Sequence, residues 1–439
     1  MRVAVIGAGI VGVTTAYELA VDGHEVTVFD RRASVAAETS FANAGVVAPG
    51  YVTPWAAPGM PGKVLRQWFS EHAAARLARP YPPGMVRWLW RWWRACNARH
   101  YQVHRGRLIG LARYSQQRLH VLTKELNLDY EQAPGMTVLL REERDLALAQ
   151  PGLKLLAELG VSHRLVDAAQ ARVHEPGLNP DMPLHAAIHL PDEEVGNCRQ
   201  FAHLLRQEAA QRGALFRFHR LVQRIVAGDK PTLRHRPLAH LEASQLPGAE
   251  HETTQPEPEG SEEFDAVVVC AALDSRALLR PLKIKARMAP VHGYSVTAPL
   301  RHDGQDAGLG PRSTLMDERY KVAISRLGKR VRVAGSAELG GDIGVIDEAA
   351  EATLYKVLDD WFPGCAVQSK AQIWKGARPM LPDGPPVIGP SGVAGVWLNI
   401  GHGSSGWALA CGSARLLADR LAGRTPAIDA EGFGAERLR

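Results

Sequence analysis

The N-terminal part of the chain alternates between short apolar runs and a segment with helical periodicity. Residues 3–6 and 25–29 are runs rich in β-branched side chains, which is typical of strands buried on both faces. Residues 10–21, between them, place apolar side chains at the spacing of a helix. Strand, helix and strand in this order predict a βαβ unit.

Similar patterns predict elements through the rest of the chain, and their alternation predicts an α/β fold. Helices are predicted at residues 106–126, 199–212, 347–361 and 405–421. Strands are predicted at residues 215–218, 221–226, 264–270 and 396–400, with a hairpin formed by 320–325 and 330–335. Gly423 is predicted to follow the last helix as its left-handed terminal residue. Residues 228–263 are rich in Pro, Glu and Thr, break the pattern, and are predicted to form a surface insertion.

Length, charge and cysteine usage narrow the class of protein. A chain of 439 residues predicts more than one domain. The 52 basic and 46 acidic residues give a net charge of +6, and no nucleic-acid module is recognisable, so nucleic acid is not an expected partner. The five cysteines are widely separated without a C-x-x-C pair, which favours reduced thiols over a metal site or a disulfide framework.

The apolar start of the chain has two interpretations, a removable signal and the first βαβ unit. Glu18 and Asp22 interrupt the run, and a removable segment would not need the glycine pattern described below. No uninterrupted apolar stretch reaches the roughly 18 residues needed to span a bilayer. We therefore expect a cytoplasmic protein.

A glycine-rich turn lies between the first predicted strand and helix. Its sequence is Gly7-Ala8-Gly9-Ile10-Val11-Gly12, which fits the G-x-G-x-x-G pattern. The first glycine allows a tight turn, the second lets a pyrophosphate approach the backbone, and the third lets the helix pack on the strand. The helix N-terminus then offers free N–H groups to phosphates, so the pattern predicts a dinucleotide site.

An acidic residue closes the second predicted strand. Asp30 lies 18 residues after Gly12, where a carboxylate accepts hydrogen bonds from the ribose hydroxyls. Arg31 and Arg32 follow and raise the alternative of a 2′-phosphate. Because Asp30 already holds the ribose position, we expect both arginines to face solvent.

A second glycine-rich turn near the C-terminus distinguishes FAD from NAD. Residues 397–407 read as strand, turn and helix, an arrangement that a simple NAD-binding domain does not require. A second helix N-terminus suits the flavin ring, where negative charge accumulates on reduction. An ordinary turn before a helix is the alternative interpretation.

Several further segments resemble one known family, the bacterial D-amino acid dehydrogenases of the D-amino acid oxidase and glycine oxidase superfamily. The matching segments are residues 38–45, 54–59, 190–194, 293–295, 317–321, 376–384 and 401–413, so the resemblance covers nearly the whole chain.

The resemblance implies two domains and a reaction. A Rossmann-like FAD-binding domain of the glutathione-reductase type would comprise residues 1–80, 190–282 and 376–439. An α+β substrate domain with a mixed or antiparallel sheet would comprise residues 81–189 and 283–375. The implied activity is oxidation of D-amino acids to imino acids by hydride transfer from Cα to flavin N5, without a metal. Electrons would then pass to a quinone-type acceptor.

The resemblance also indicates where the cofactor binds. Beyond the first turn, Asp30, Arg31 and Arg32, the expected contacts are Thr39, Ser40, Ala42, Asn43, Ala44, Gly45, Val222, Ala271, Ala272, Gly401, Gly403, Ser404, Ser405, Gly406 and Trp407. In some relatives a cysteine near the 376–384 segment bonds the flavin covalently. Residues 374–383 contain no cysteine, so we expect non-covalent FAD.

Four residues are candidates for contact with the substrate. Arg378 is the expected clamp for the substrate carboxylate, because a guanidinium pairs a carboxylate through two hydrogen bonds. Tyr294 and Tyr320 are candidates for substrate contact or a lid, and each is equally compatible with a core position. His402 lies between glycines and would either tune the flavin or fix the backbone.

The sequence departs from the family pattern at three places. Residues 270–272 lack the glycine that is usual near that point, Val195 and Asn197 replace more polar residues, and the 228–263 stretch is long. The last glycine-rich turn also has Ser404 and Ser405 where glycine oxidases carry an arginine. These differences leave open a secondary amino acid as substrate, such as D-proline, hydroxyproline or sarcosine, or a role as the flavin subunit of a multi-subunit amine dehydrogenase.

Residues 86–94 interleave four tryptophans with three arginines, and the arginines share one helical face. This pattern fits a helix lying on an anionic membrane. It fits equally a core-facing helix with a basic outer side. The lipid-soluble acceptor implied above favours peripheral contact with the cytoplasmic face of a membrane.

Overall fold

The structure is a computed structural model that describes residues 1–67, 72–238, 259–301 and 309–438. Within these ranges the chain forms ten α-helices and nineteen β-strands. The helices are α1 (Ile10–Val21), α2 (Met60–Gln67), α3 (Met85–Ala95), α4 (Ala98–Glu125), α5 (Glu143–Glu158), α6 (Ala168–His174), α7 (Cys198–Gln211), α8 (Ser275–Leu279), α9 (Glu348–Trp361) and α10 (Gly406–Leu421).

The strands belong to three sheets. They are β1 (Arg2–Ile6), β2 (Glu25–Phe29), β3 (Val46–Val47), β4 (Ala75–Ala78), β5 (Ala133–Leu140), β6 (Arg164–Asp167), β7 (Ala186–Val195), β8 (Leu215–Arg217), β9 (Arg220–Val226), β10 (Thr232–Pro237), β11 (Gly260–Glu263), β12 (Ala266–Val269), β13 (Ala289–Pro299), β14 (Thr314–Asp317), β15 (Val322–Leu327), β16 (Arg330–Gly340), β17 (Gln372–Met380), β18 (Val387–Pro390) and β19 (Val396–Ile400).

The first sheet has six strands in the order β18-β19-β12-β1-β2-β8. All neighbours run parallel except β18, which is antiparallel to β19. The central strand β1 is buried from Val3 to Ile6, which explains its unbroken apolar run. Helices α1, α4, α7 and α10 contribute apolar side chains to one core beside this sheet. The predicted βαβ unit is therefore present.

The second sheet is antiparallel and small, with the order β11-β10-β9. Strands β10 and β11 lie inside the 228–263 stretch, which the sequence predicted to be a surface insertion and in which it predicted no strand. The alternation in β10 buries Leu233 and His235 between arginines, a pattern with too few apolar residues to reveal a strand. The rest of that stretch, residues 239–258, lies outside the described residues.

The third sheet has ten strands and is mixed, with the main order β17-β13-β16-β15-β14-β5-β7-β3. Strands β4 and β6 join it at β16 and β7. The predicted hairpin is confirmed as β15 and β16, with Ala323 opposite Ala334. Helix α9 packs on this sheet through Leu354 and Trp361, beside Tyr294 and Val296 of β13. A Rossmann-like sheet and a second mixed sheet agree with the predicted fold class.

Candidate functional site

The first glycine-rich turn leaves no room for side chains where β1, α1 and β12 meet. Gly7 has φ +105°, and a Cβ there would lie 2.6 Å from the carbonyl oxygen of Cys270. A Cβ on Gly12 would lie 1.8 Å from the carbonyl oxygen of Gly7. Of the described atoms near Gly9, the nearest to such a Cβ is Ser40 Oγ, at 3.5 Å. The turn is therefore closed at two glycines and open at the middle one, as a pyrophosphate requires.

The helices that follow the two glycine-rich turns, α1 and α10, have no capping side chain on their N-cap residues. Helix α1 begins after Gly9, and α10 begins after Ser405, whose hydroxyl accepts no helix amide. At α1 the amide of Ile10 donates to Ser40 Oγ at 3.1 Å. Uncapped amides and the positive end of the helix dipole attract negative charge. The residues present thus fit FAD: the N-terminus of α1 would hold its phosphates, and the N-terminus of α10 would face its flavin ring.

Asp30 lies beside the first turn. Its Oδ2 accepts a hydrogen bond from the amide of Ala8 at 2.6 Å, and its Oδ1 accepts one from the amide of Arg32 at 2.7 Å. Burial raises the pKa of Asp30 from its ordinary value, although both backbone bonds oppose the shift. Each carboxylate oxygen keeps a lone pair for a ribose hydroxyl, so the predicted role fits the geometry.

Arg31 and Arg32 form ion pairs with acidic side chains. Both contact Glu38, at 2.6 and 2.7 Å, and Arg31 also contacts Asp274 at 2.9 Å. These carboxylates already provide the negative partner that a 2′-phosphate would provide. The geometry therefore favours structural ion pairs over phosphate binding at this position.

The 39–45 segment connects the first sheet to the strand that carries Arg378. Thr39 Oγ1 donates to the carbonyl of Ala377 at 2.8 Å. Three more side chains donate hydrogen bonds to backbone carbonyls of the segment. They are Ser295 Oγ to Ala42 at 2.8 Å, Arg332 Nη1 to Asn43 at 2.9 Å and Trp407 Nε1 to Gly45 at 3.1 Å. Ala44 lies between the last two contacts. The segment is thus fixed by four separate elements, β13, β16, β17 and α10, as a cofactor-lining loop requires.

The end of β12 adopts the geometry that usually needs glycine. Ala272 has φ +45°, the left-handed region, and it stands near the place where the family has its glycine. Ala271, with φ −87°, packs next to Gly7. The backbone of residues 270–272 therefore turns in a left-handed conformation without a glycine. The left-handed alanine costs about 1 kcal/mol. Val222, another predicted cofactor contact, lies in β9 with its side chain in the core.

Arg378 lies on β17 and is surrounded by protein while keeping part of its surface accessible. Its Nη1 donates to the carbonyl of Ser336 at 2.9 Å. Burial lowers the pKa of Arg378 to about 10, so the group remains protonated at neutral pH. Among the described residues no carboxylate pairs with it. The guanidinium therefore has no anionic partner within the described part of the chain.

The two tyrosine candidates lie elsewhere. Tyr294 is 1% exposed and donates its hydroxyl to Glu338, while burial raises its pKa. Tyr320 packs under Arg141, whose Cζ lies 5.0 Å from the ring, in the cluster around α9. Both occupy core positions, which is the second role that the sequence allowed. The structure does not bring them to Arg378.

His402 belongs to the turn 401–406, and its side chain is buried against α10. Its ring Nε2 lies 3.0 Å from Ser413 Oγ on α10, and burial lowers its pKa to about 3. A backbone bridge between Met380 and His402 joins the turn to the Arg378 strand. Gly401 and Gly403 have φ +79° and +58°, which the turn requires. The neutral imidazole thus fixes the turn that carries Ser404, Ser405, Gly406 and Trp407.

Two residues of this site were missed by sequence reasoning. The carbonyl of Ser336 is the hydrogen-bond partner of Arg378, and Ser336 has φ +59°, which a serine does not signal. Arg332 contacts the 39–45 segment from a strand that reads as ordinary β-sheet. Val195 is fully buried, and Asn197 caps α7 by accepting from the amide of Gln200 at 3.2 Å, so these two departures are structural.

The chain is similar to known FAD-dependent oxidoreductases. The family model described as FAD dependent oxidoreductase matches residues 2–420. A D-amino acid dehydrogenase of Rhizorhabdus wittichii is 40% identical over 439 residues, covering 100% of both chains. One from Vibrio cholerae is 40% identical over 423 residues, covering 96% of this chain and 95% of its own. The fold is similar to glycine oxidase from Geobacillus kaustophilus, with a TM-score of 0.73, 18% identity, and 99% and 98% of the two chains covered.

Replacing Asp30 by alanine should weaken FAD binding more than it alters the chemistry. Each lost hydrogen bond between a ribose hydroxyl and the carboxylate contributes about 1.5–3 kcal/mol. We expect the dissociation constant of FAD, measured by reconstituting apoprotein, to rise at least tenfold.

The matched control for this measurement is Glu38→Gln. It removes the ion pairs that Arg31 and Arg32 make with Glu38 and leaves Asp30 in place. It should bind FAD nearly as the parent does. Equal affinity of the Asp30 variant and the parent would show that Asp30 is not the ribose ligand.

Proposed function

Because the chain belongs to the family of FAD-dependent oxidoreductases, we propose that it oxidises D-amino acids to imino acids, which water converts to 2-oxo acids and ammonia. The observation that carries the proposal is the protonated guanidinium of Arg378, which is surrounded by protein, keeps part of its surface accessible and has no carboxylate partner among the described residues. The proposed substrate cleft lies beside this guanidinium. The bound cofactor supplies the acceptor of the hydride.

The residues around Arg378 bind and orient the substrate. The guanidinium pairs with the substrate carboxylate through two N–H groups, while Ser336 holds a third. A Cβ on Gly293 would lie 2.1 Å from Nη2, so glycine at this position makes room for the clamp. His402 stays neutral and adds no charge near the ring. Orientation by a fixed clamp accounts for much of the rate that such sites achieve.

A second candidate is the oxidation of a secondary amino acid. The observation in its favour is the turn at Ser404 and Ser405, which lacks the arginine of glycine oxidases and so leaves the amine side of the cleft less constrained. Both candidates use Arg378 in the same way. Flavin bleaching across a panel of primary and secondary amino acids separates them.

FAD is held without a covalent bond in this proposal. Cys270 is the cysteine that packs against the first glycine-rich turn, and burial raises the pKa of its thiol to about 12. Burial raises the pKa of Cys198 and Cys365 to about 12 as well. A thiol that stays protonated is a poor nucleophile toward a flavin.

The proposed electron acceptor is a quinone, reached from a membrane surface beside α3. Trp88 and Trp92 are buried, and Trp88 Nε1 donates to the carbonyl of Met380 at 2.9 Å, two residues beyond Arg378. Val86, Trp90 and Trp93 are 82%, 51% and 61% exposed. The helix therefore has two tryptophans in the core and two outside.

The surroundings of the exposed tryptophans are basic. Arg94 stacks on Trp90 with its Cζ 4.9 Å from the ring, and a cleft of about 800 Å³ beside Trp90 is lined by Arg91, Arg94 and Arg287. Aromatic side chains beside arginines match the interface of an anionic bilayer. None of the described helices combines the length and apolar character needed to cross a bilayer. We infer peripheral contact with the cytoplasmic face of a membrane.

The proposed division into two domains crosses the ten-stranded sheet, whose strands β7 and β17 span its boundaries. Residues 1–80, 190–282 and 376–439 form the FAD-binding domain around the six-stranded sheet. Residues 81–189 and 283–375 form the substrate domain, which supplies most of the ten-stranded sheet. Arg378 lies where the two meet, because its strand pairs with β13 and its neighbour Ala377 accepts from Thr39.

Acid or heat should release the flavin from the purified yellow protein into the supernatant, because no reactive thiol stands at the site. The measurement is the flavin absorbance of the supernatant and of the washed pellet after precipitation. Flavin that stays with the denatured chain would contradict non-covalent binding.

Replacing both Trp90 and Trp93 by alanine should weaken binding to phosphatidylglycerol vesicles about tenfold, since the aromatic anchors are lost while the arginines remain. Cosedimentation measures the effect, with phosphatidylcholine vesicles testing the role of charge. Leu148→Ala, which removes another exposed apolar side chain, is the matched control. Binding that is unchanged in the double variant would exclude this surface.

Replacing Arg378 by leucine should leave FAD bound but slow amino-acid oxidation by about a hundredfold or more, because Cα is no longer held in place. Arg378→Lys should rescue partly, since a point charge cannot form both parallel hydrogen bonds. The measurement is anaerobic flavin reduction against substrate concentration, with an amine lacking a carboxylate as control. Equal reduction by variant and parent would show that Arg378 is structural.

A further inference from the structure

A β-bulge lies directly beside Arg378. Strands β13 and β16 pair His292 with Glu338 and then Tyr294 with Gly335. Gly293 alone on one strand therefore opposes Ser336 and Ala337 on the other, which is the two-against-one count of a bulge. Bulges redirect groups at the edge of active sites.

Ser336 is the residue of the bulge with the unusual conformation. Its φ of +59° lies in the left-handed region, which costs a serine free energy unless neighbouring contacts hold it. In this conformation its carbonyl accepts the hydrogen bond from Arg378 Nη1 at 2.9 Å. Opposite it, Gly293 leaves the space that the guanidinium fills. The bulge thus sets the position of the clamp.

A buried polar network spans the same bulge. Glu338, 2% exposed, accepts from the hydroxyl of Tyr294 and from Lys375 Nζ, the latter at 2.9 Å. His292 Nδ1 lies 3.4 Å from the same carboxylate. Tyr294 and His292 stand on opposite sides of Gly293 along β13. One carboxylate therefore ties the residues before and after the bulge to each other.

The network also includes the strand that bears Arg378. Lys375 lies on β17, opposite Tyr294, three residues before Arg378. Its ammonium also donates to the carbonyls of Asp342 and Val345, at 2.7 Å each. Lys375 and the two other partners hold the pKa of Glu338 down to about 2 against its burial, so the carboxylate stays charged.

This network fixes the register of three strands. A slip of one residue between β13 and β16 would carry Glu338 away from all three partners and leave a buried charge unpaired, which is strongly unfavourable. The same slip would remove the bulge and withdraw the Ser336 carbonyl from Arg378. Register, bulge and clamp are therefore coupled through Glu338.

We propose that Glu338 is a positioning residue for the substrate carboxylate: through the bond that Tyr294 makes to it across the bulge, it holds the Ser336 carbonyl and thereby Arg378 in binding geometry. The inference rests on the proposed role of Arg378 and adds the residues that place it. Glu338 and Tyr294 are buried and bonded to each other, so both act through Arg378.

The test compares Tyr294→Phe and Glu338→Gln with the parent holoenzyme. Tyr130→Phe is the matched control, because it removes a buried tyrosine hydroxyl that bonds Thr123 at 3.2 Å in another part of the fold. Anaerobic flavin reduction gives the apparent dissociation constant for a D-amino acid and for an amine that lacks a carboxylate. Hydrogen exchange of the peptide covering residues 330–340 reports the bulge directly.

We expect Tyr294→Phe to raise the dissociation constant of the amino acid several-fold and Glu338→Gln about tenfold, with faster exchange at the bulge and no change for the amine. Tyr130→Phe should change neither substrate. The proposal is overturned if both substrates weaken equally, or if exchange rises while amino-acid binding stays as in the parent. Should Glu338→Gln fail to fold, the isosteric Tyr294→Phe decides. A normal Arg378→Leu variant would instead contradict the proposed function itself.

Discussion

The proposed substrate site depends on a guanidinium that is enclosed by protein and has no carboxylate partner in the described ranges of the chain. Removing a charge from water is costly unless hydrogen bonds or an opposite charge replace the solvent. Arg378 donates a hydrogen bond to the Ser336 carbonyl, and no carboxylate among the described residues pairs with its remaining N–H groups. The fold tolerates this arrangement because glycine at position 293 and the bulge opposite it shape a space for the group. In the proposed function, the carboxylate of the substrate would pair with this guanidinium.

Two short connections join the proposed FAD site to the strand that carries Arg378. The 39–45 segment runs from Asp30 toward the large sheet, where Thr39 contacts the residue before Arg378. The bridge between Met380 and His402 links the same strand to the turn before α10. These contacts connect both helix N-termini with Arg378. A shift in either sheet would therefore move Arg378 relative to the proposed flavin site and change where the substrate Cα is held.

Local patterns sufficed for the cofactor half, whereas the substrate half depends on contacts between distant strands. The runs at 3–6 and 25–29 and the glycines at 7, 9 and 12 have direct backbone causes, and β2 and β19 have the predicted bounds. Strands β13 and β17, which frame Arg378, were not predicted from periodicity. Tyr294 could be assigned to cleft or core only after its strand was paired, and a left-handed serine at position 336 has no sequence signature.

The most direct measurement uses 2-aminoisobutyrate, an amino acid that has no Cα hydrogen and therefore binds without being oxidised. Titrating it into the oxidised holoenzyme, beside its carboxamide, measures the contribution of the carboxylate alone through the flavin absorbance. A charge-assisted hydrogen bond contributes about 1.5–3 kcal/mol, so the carboxylate should bind at least tenfold more tightly than the amide. Equal affinity of the two compounds would contradict the account, because the enclosed guanidinium would then recognise no carboxylate.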